Sequence, residues 1–293
     1  MNTNSHKAAA LILSSLLCAS SFAATPLQQE KEKMAGQGFA LVRQATARLG
    51  PSSLVVHLYA KEGGGREYLR VFLVSKSKAK LVFLEPGFSK NIRLDPVHKN
   101  GLIPDLLRDG SRVLAYHETL PAVGQETLVL LRYSGGGLAR LADLPYGRLE
   151  DLDAKGPPEV VSRSRPLGQF FQIECESFHS MAQSAFRTTV HAFREGRLVP
   201  VSKEFPRLYE DDIRALEAGL SSTDPRKTQD YGGFLGSALS LYFDYEELGK
   251  GKEGWGRFRA LFEPHAGDSA VAKRCLGEME TELKTRLGIP PDW

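Results

Sequence analysis

Apolar residues change their spacing twice along this chain. Between residues 53 and 201 they form short β-branched and aromatic runs separated by Gly and Pro, which is typical of strands joined by hairpins. The runs lie at residues 54–59, 68–74, 80–84, 113–116, 127–133, 138–141, 160–161, 188–193 and 197–201. On both sides of this region the apolar residues recur at helical spacing. We therefore expect a mainly β fold with α: a helix over residues 24–50, a β-region over residues 51–215 and a helical region over residues 216–293.

Capping residues mark where the predicted helices begin and end. Thr25 can cap the first helix, Pro26 suits its first turn, and Gly50 ends it before a second proline. The last helix carries one apolar stripe, formed by Val271, Cys275, Met279, Leu283 and Leu287, and ends at Gly288. Because a single stripe needs a surface that buries it, we expect the helical tail to pack against the β-region.

The β-region contains sequence that repeats. Residues 127–141 and 188–201 both consist of a strand, a turn containing Gly and a second strand. Acidic turns at residues 105–113 and 151–159 begin 46 residues apart, which is close to the roughly 40–50 residues of a propeller blade. Residues 209–213 resemble a third acidic turn.

One of these turns resembles the repeat of FG-GAP or VCBS-type β-propellers. Asp151-Leu152-Asp153, Gly156 and Glu159-Val160-Val161 follow that repeat, in which an Asp-rich turn with Gly leads into a strand. The resemblance covers about residues 102–213, in one clear copy and two degenerate ones. It implies β-propeller-like hairpin repeats, about three to four blades and thus fewer than most closed propellers have, with the helical tail as a cap.

The same resemblance implies a weak candidate metal site. In calcium-binding versions of the repeat, acidic side chains of the turn supply oxygen ligands, and Asp151, Asp153 and Glu159 are the matching residues here. Lys155 lies in the middle of the turn, where an ammonium group repels a cation. We therefore expect no cofactor and disfavour calcium.

The first 23 residues have the features of a secretory signal peptide. Lys7 precedes an apolar run at residues 8–18, and Ser21-Phe22-Ala23 places small residues before a cleavage site. The apolar run is shorter than the roughly 20 residues of a membrane span, and no later run approaches that length. The sequence predicts cleavage after Ala23 and export to the bacterial periplasm, with secretion as the alternative.

Two cysteines remain once the leader and Cys18 are removed. Cys175 lies in the β-region and Cys275 in the apolar stripe of the last helix. Because the predicted compartment is oxidising and two cysteines allow one intramolecular pairing, we predict a disulfide between them. Two buried thiols are the alternative interpretation.

Charge and motifs indicate little about function. The formal net charge is +3, with 24 basic and 18 acidic residues at 24–200 and 13 and 17 at 201–293. This balance gives no reason to expect nucleic acid as a partner, and the two parts can attract each other. Neither a His-x-x-x-His nor a Gly-x-Ser-x-Gly motif is present. We expect an exported, non-enzymatic binding or scaffolding protein with a protein or envelope partner. The alternatives are a periplasmic hydrolase with a loop-borne site and a structural envelope protein.

Overall fold

A computed structural model describes most of the chain after residue 24. The described residues are 25–61, 63, 67–76, 78–87, 91–95, 105–120, 124–168, 172–175, 178–181, 185–228, 231–264, 266–267 and 269–293. The predicted signal peptide lies outside them. Among the described residues, no helix combines the length and apolarity that a membrane crossing requires.

The β-region consists mainly of three antiparallel sheets with four strands each. The first sheet contains β1 (Phe39–Leu49), β2 (Ser52–Lys61), β3 (Glu67–Ser75) and β4 (Lys78–Gly87). The second contains β5 (Asn91–Leu94), β6 (Arg112–Leu120), β7 (Gln125–Ser134) and β8 (Gly137–Pro145). The third contains β9 (Arg148–Glu150), β10 (Glu159–Ser164), β13 (Arg187–Arg194) and β14 (Arg197–Pro200). β11 (Gln172–Cys175) and β12 (Phe178–Met181) form a separate hairpin between β10 and β13.

Each of the predicted runs overlaps a strand of these sheets. The two hairpins that were predicted to repeat, at residues 127–141 and 188–201, occupy the same position in their sheets. β7 and β8 are the third and fourth strands of the second sheet, as β13 and β14 are of the third. Gly135 and Gly136 join the first pair with φ of 59° and 84°, and Glu195 and Gly196 join the second with φ of 49° and 73°. Positive φ at both turn residues matches the twist of adjacent strands, which explains why glycine recurs there.

The three sheets lie against one another, and alternate residues of their strands fill the two spaces between them. Leu54 and Val56 of β2 pack with Leu114 of β6 in a core between the first and second sheets. Val113 of β6 packs on the other side with Val160 of β10, between the second and third sheets. The second sheet is therefore buried on both faces, which accounts for the unbroken apolar runs in its central strands.

Helices cover the two outer faces of the stack. They are α1 (Pro26–Gly36), α2 (Pro206–Ser222), α3 (Pro225–Thr228), α4 (Tyr231–Glu247), α5 (Gly251–Leu261) and α6 (Ala270–Leu287), with a 3-10 turn at Ser202–Glu204. Met34 of α1 packs with Tyr59 on the first sheet. Tyr209 of α2 packs with Val161 and Val190 on the third. The helical tail thus packs against the β-region, and the mainly β fold with α is confirmed.

The prediction of one helix over residues 24–50 is wrong beyond Gly36. Thr25 caps α1 as expected, accepting a hydrogen bond from Gln28 N at 3.3 Å. Gly38 then adopts φ of 80°, and Phe39–Leu49 pairs with β2 instead of continuing the helix. A β-bulge between Leu41 and Arg43 interrupts the alternation of inward and outward side chains that marks a strand. The apolar residues therefore recur at a spacing that resembles that of a helix.

The prediction of a third acidic turn is also wrong. Tyr209, Glu210, Asp211, Asp212 and Ile213 all lie inside α2, where Tyr209 and Ile213 are buried at helical spacing. The helical tail accordingly begins at Pro206, ten residues before the predicted boundary at residue 216. Pro206 stands at the start of α2, where its missing N–H needs no partner.

Candidate functional site

The acidic turn at residues 151–158 connects the first two strands of the third sheet. Asp151 Oδ1 accepts a hydrogen bond from Ala154 N, and Asp153 Oδ1 accepts one from Lys155 N, both at 2.8 Å. Ala154 has φ of 57° within this turn. The aspartates therefore hold the turn by bonding to its own backbone, as Asp commonly does.

The structure brings the three predicted metal candidates together. Glu159, the first residue of β10, is buried, and its Oε2 accepts a hydrogen bond from Leu152 N at 3.0 Å. One carboxylate oxygen from each of Asp151, Asp153 and Glu159 lies within 4.8 Å of the others. Oxygens that share a calcium ion lie about 2.3–2.6 Å from it, so this spread meets the distance requirement.

The charge around these carboxylates is less suitable for a cation. Lys155 lies in the turn, and the Arg108 guanidinium approaches Gly156 from the neighbouring acidic turn. Each of the three candidates also already accepts a backbone N–H. The three carboxylates therefore have a spacing that suits calcium, but the nearby cations make the site electrostatically unfavourable for it.

A cleft of about 510 Å³ borders this turn. Leu152, Asp153, Lys155, Glu204, Phe205, Pro206, Arg207 and Leu208 line it. Its four charged side chains are all exposed, and Glu204 pairs with Arg194. Solvent screens exposed charges, so this cleft offers little electrostatic selectivity.

A second cleft, which we name the Asp244 cleft, lies between the third sheet and the helices α2 and α4. Its volume is about 340 Å³. Arg163, Phe186, Thr188, Asp212, Ala215, Leu216, Ser237, Ser240 and Asp244 line it. It contains a buried acid, a second acid, a cation, three hydroxyl groups and an apolar wall, which is the mixture that small-molecule sites share.

Secondary structure sets the positions of these side chains. Arg163 and Thr188 are directly paired residues of β10 and β13. Ser237, Ser240 and Asp244 follow one another at helical spacing on α4. Ser240 Oγ accepts a hydrogen bond from Phe186 N at 3.0 Å, which connects α4 to the residue just before β13. The polar side chains of the cleft are therefore all carried by strands and helices, whereas the hydrolase alternative predicted a site on loops.

Burial controls the chemistry of the cleft. Asp244 is 3% exposed, whereas Asp212 is half-buried and Arg163 is exposed. Burial, together with a smaller contribution from the nearby Asp212 carboxylate, raises the pKa of Asp244 to about 8, and Arg163 opposes the shift. Asp244 consequently carries a proton at neutral pH when the cleft is empty.

The three strand histidines whose side chains are described lie in different sheets: His57 on β2, His117 on β6 and His191 on β13. His117 is buried, with Nε2 2.7 Å from Asp95 Oδ2 and Nδ1 3.0 Å from Glu126 Oε1. These contacts join β6 to the end of β5 and to β7.

The structure describes the side chain of only one of the two cysteines that are predicted to form a disulfide. Cys275 is buried in α6, and α6 contacts the backbone of β11, the strand that ends at Cys175. The side chain of Cys175 lies outside the described residues, so the pairing stays a prediction.

Sequence reasoning did not find the Asp244 cleft. Arg163, Asp212 and Asp244 come from three separate segments and form no motif. One signal was available: Asp244 directly follows the apolar run Leu241-Tyr242-Phe243 in the region predicted to be helical. An ionisable residue in an apolar helix is a functional candidate because its burial must be compensated.

Comparison with known proteins adds no family to this description. No protein-family model, curated protein or solved structure matches the chain. The function is therefore argued from the two sites themselves.

Proposed function

We propose that this protein is an exported binding protein that holds a small polar ligand in the Asp244 cleft. The observation that supports this function is the convergence of Arg163, Asp212 and the buried Asp244 in one cavity. A buried carboxyl group beside a cavity is unfavourable for the empty protein, and a ligand with matching donors would offset that penalty. Concave sites with a few convergent polar groups are the common form of small-molecule sites.

The composition of the cleft favours binding over catalysis. Its hydroxyl groups come from Thr188, Ser237 and Ser240, and within the part of the chain that the structure describes neither His, Cys nor Lys lines the cleft. A hydroxyl nucleophile needs an adjacent base to activate it. Ser240 is moreover engaged with Phe186 N and with Gly236 O, so it serves as a structural link.

A hydrolase is the second candidate, because the cleft holds two carboxyl groups of different exposure. A carboxylic acid that keeps its proton near neutral pH can act as a general acid beside a second carboxylate. Asp244 has this property, with a pKa raised to about 8 chiefly by burial. In this case Asp244→Asn would abolish product formation while leaving ligand binding largely intact.

We also propose that the three sheets are propeller-like blades of the FG-GAP or VCBS type. Each is a four-stranded antiparallel sheet, and the acidic turns before β6 and β10 both connect the first strand of a sheet to its second. α1 and the helical tail cover the outer faces, which is the role of atypical ends in repeat proteins.

Export to the periplasm remains part of the proposal and is supported by residues 1–23 alone. Mass spectrometry of the exported protein should find Ala24 or Thr25 at its N-terminus. A retained leader or an acylated Cys18 would contradict the proposal.

A ligand screen tests the binding function. The mature chain is screened against small polar metabolites by thermal shift, hits are titrated by calorimetry, and products are sought by mass spectrometry. Ser237→Phe should fill the cleft and lower affinity at least about tenfold, whereas the control Ser221→Phe, on the exposed surface of α2, should bind normally. Hits that bind both variants equally, or a screen without hits, would overturn the assignment; turnover would favour the hydrolase.

A further inference from the structure

We propose that the ligand of the Asp244 cleft is a zwitterion of the α-amino acid class, with its ammonium group between Asp212 and Asp244 and its carboxylate on Arg163. This inference rests on the proposed binding function and adds the chemical class of the ligand. Its basis is the arrangement of opposite charges at different depths of one cavity.

The two acidic residues of the cleft are more buried than its cation. Asp244 is 3% exposed, Asp212 is half-buried, and Arg163 on β10 is exposed. Among these three lining residues, exposure therefore falls from the cation to the buried carboxyl group of Asp244. A ligand with one group of each charge, a short distance apart, matches this order, whereas a simple amine or a simple carboxylate matches only half of it.

The surroundings of Asp244 favour a positively charged ligand. Among the described residues, the charged or titratable groups that interact with it are Asp212 and Tyr209 on α2, Glu247 on its own helix and Arg163 on β10. Arg163 is the sole cation of this set and lies at the exposed end. An ammonium group placed between the two aspartates would stabilise the ionised form of Asp244, so binding should release its proton.

Arg163 suits the other end of such a ligand. A guanidinium group binds a carboxylate through two parallel hydrogen bonds, which fixes the orientation of the ligand as well as adding affinity. The strand pairing of Arg163 with Thr188 places it on the rigid third sheet. The carboxylate of the ligand would also reduce the repulsion between Arg163 and the incoming ammonium group.

The remaining wall suits a side chain of moderate size. Phe186, Ala215 and Leu216 contribute apolar surface to the cleft. The Phe186 ring is held from outside by Tyr146, at a centroid distance of 5.3 Å, and by the Arg165 guanidinium at 4.9 Å. A volume of about 340 Å³ lies at the lower end of ligand sites and suits an amino acid.

Calorimetry with three kinds of probe tests the inference. The mature wild-type chain is titrated with the standard amino acids, with butylamine and with butyrate. At least one amino acid should bind about tenfold or more tightly than either half-ligand. Titration in two buffers of different ionisation enthalpy should show release of up to about one proton near neutral pH, because Asp244 ionises on binding.

Matched variants test separately the residues that bind the ammonium end and the carboxylate end of the ligand. Asp212→Asn should weaken binding of the amino acid and of butylamine alike. Arg163→Gln should weaken binding of the amino acid without weakening binding of butylamine. Arg197→Gln, at an exposed position of β14, is the control and should bind like wild type. Asp244→Asn should abolish the proton release.

Three negative outcomes are possible, and they differ in which proposal they overturn. If the metabolite screen yields ligands that bind the cleft but lack an ammonium or a carboxylate group, the amino-acid assignment is overturned and the binding function stands. If butylamine or butyrate binds as tightly as every amino acid, the zwitterion assignment is likewise overturned. If nothing binds in either experiment, both proposals fail.

Discussion

Arg108 and Gly156 touch across two neighbouring acidic turns: a Cβ added at Gly156 would lie 3.1 Å from Arg108 Nη2. Arg108 belongs to the turn before β6, and Gly156 to the turn before β10. The contact therefore links the second and third sheets at one end of the stack. It also brings a guanidinium group to the turn that carries the candidate metal ligands.

This contact, together with Lys155, leads us to expect no tight calcium site at Asp151, Asp153 and Glu159. Two cations beside the turn offset the attraction that its carboxylates exert on a calcium ion. Calorimetric titration with calcium should show no micromolar site, and a chelator should leave the melting temperature unchanged. Micromolar binding that Asp153→Ala abolishes would contradict this expectation.

Gly147→Ala should destabilise the junction between the second and third sheets by about 1–3 kcal/mol. A Cβ at Gly147 would lie 2.7 Å from Leu128 Cβ and 2.9 Å from the Leu144 carbonyl oxygen. Leu128 and Leu144 belong to the core between those sheets, so neither can move freely. Denaturant unfolding measures the loss. Gly137→Ala is the control, because an added Cβ meets nothing within 4 Å there; equal effects would refute the packing argument.

Asp244→Asn should make the empty protein more stable at neutral and alkaline pH. Burial raises the pKa of Asp244 from 3.8 to about 8 in the folded protein. Between these values the folded state keeps a proton that the unfolded chain has lost, so stability falls as pH rises, by at most about 1.4 kcal/mol per pH unit. Unfolding free energies of wild type and variant should therefore diverge from about pH 4 to about pH 8. Parallel pH profiles would show that Asp244 is ionised in the folded state.

His57 should make the first sheet sensitive to acid. Burial, with a contribution from Lys31, lowers the pKa of His57 from 6.5 to about 4. Its Nδ1 lies 2.9 Å from the Tyr59 hydroxyl, and its Nε2 has no hydrogen-bond partner among the described residues. As pH falls through this range the unfolded chain takes up a proton before the folded one, so stability falls.

His57→Gln should remove this loss because glutamine does not titrate. Unfolding curves of wild type and variant should have a constant separation above about pH 7, and the wild type should lose stability faster below it. If both lose stability equally between about pH 6.5 and about pH 4, the titrating group lies elsewhere.

If Cys175 and Cys275 form the predicted disulfide, protein isolated from the periplasm should show zero free thiols under denaturing, non-reducing conditions. The disulfide would close a loop of 100 residues. The chain-entropy estimate of its stabilisation at that length is about 4–5 kcal/mol, so reduction should lower the melting temperature clearly. Two reactive thiols would refute the pairing, and Cys275→Ser should match reduced wild type in stability if it is correct.

The strands that could be predicted from the sequence are those whose signal lies within a few residues. Val160 and Val161 favour a strand by their β-branching, and Gly135-Gly136 favours a tight hairpin by its freedom at positive φ. The first strand of each sheet was missed. β5 and β9 are only four and three residues long, and the bulge in β1 breaks the two-residue period of its apolar side chains.

The sequence by itself determined the mainly β organisation with α, the equivalent hairpins and the caps at Thr25 and Gly288, because turn chemistry and residue period act locally. Only the tertiary structure decided which faces meet and where a ligand could bind. Arg163, Asp212 and Asp244 lie far apart along the chain, and no local rule brings them together. The proton on Asp244 follows from burial by the folded chain, since desolvation exists only once strands and helices have closed around the carboxyl group.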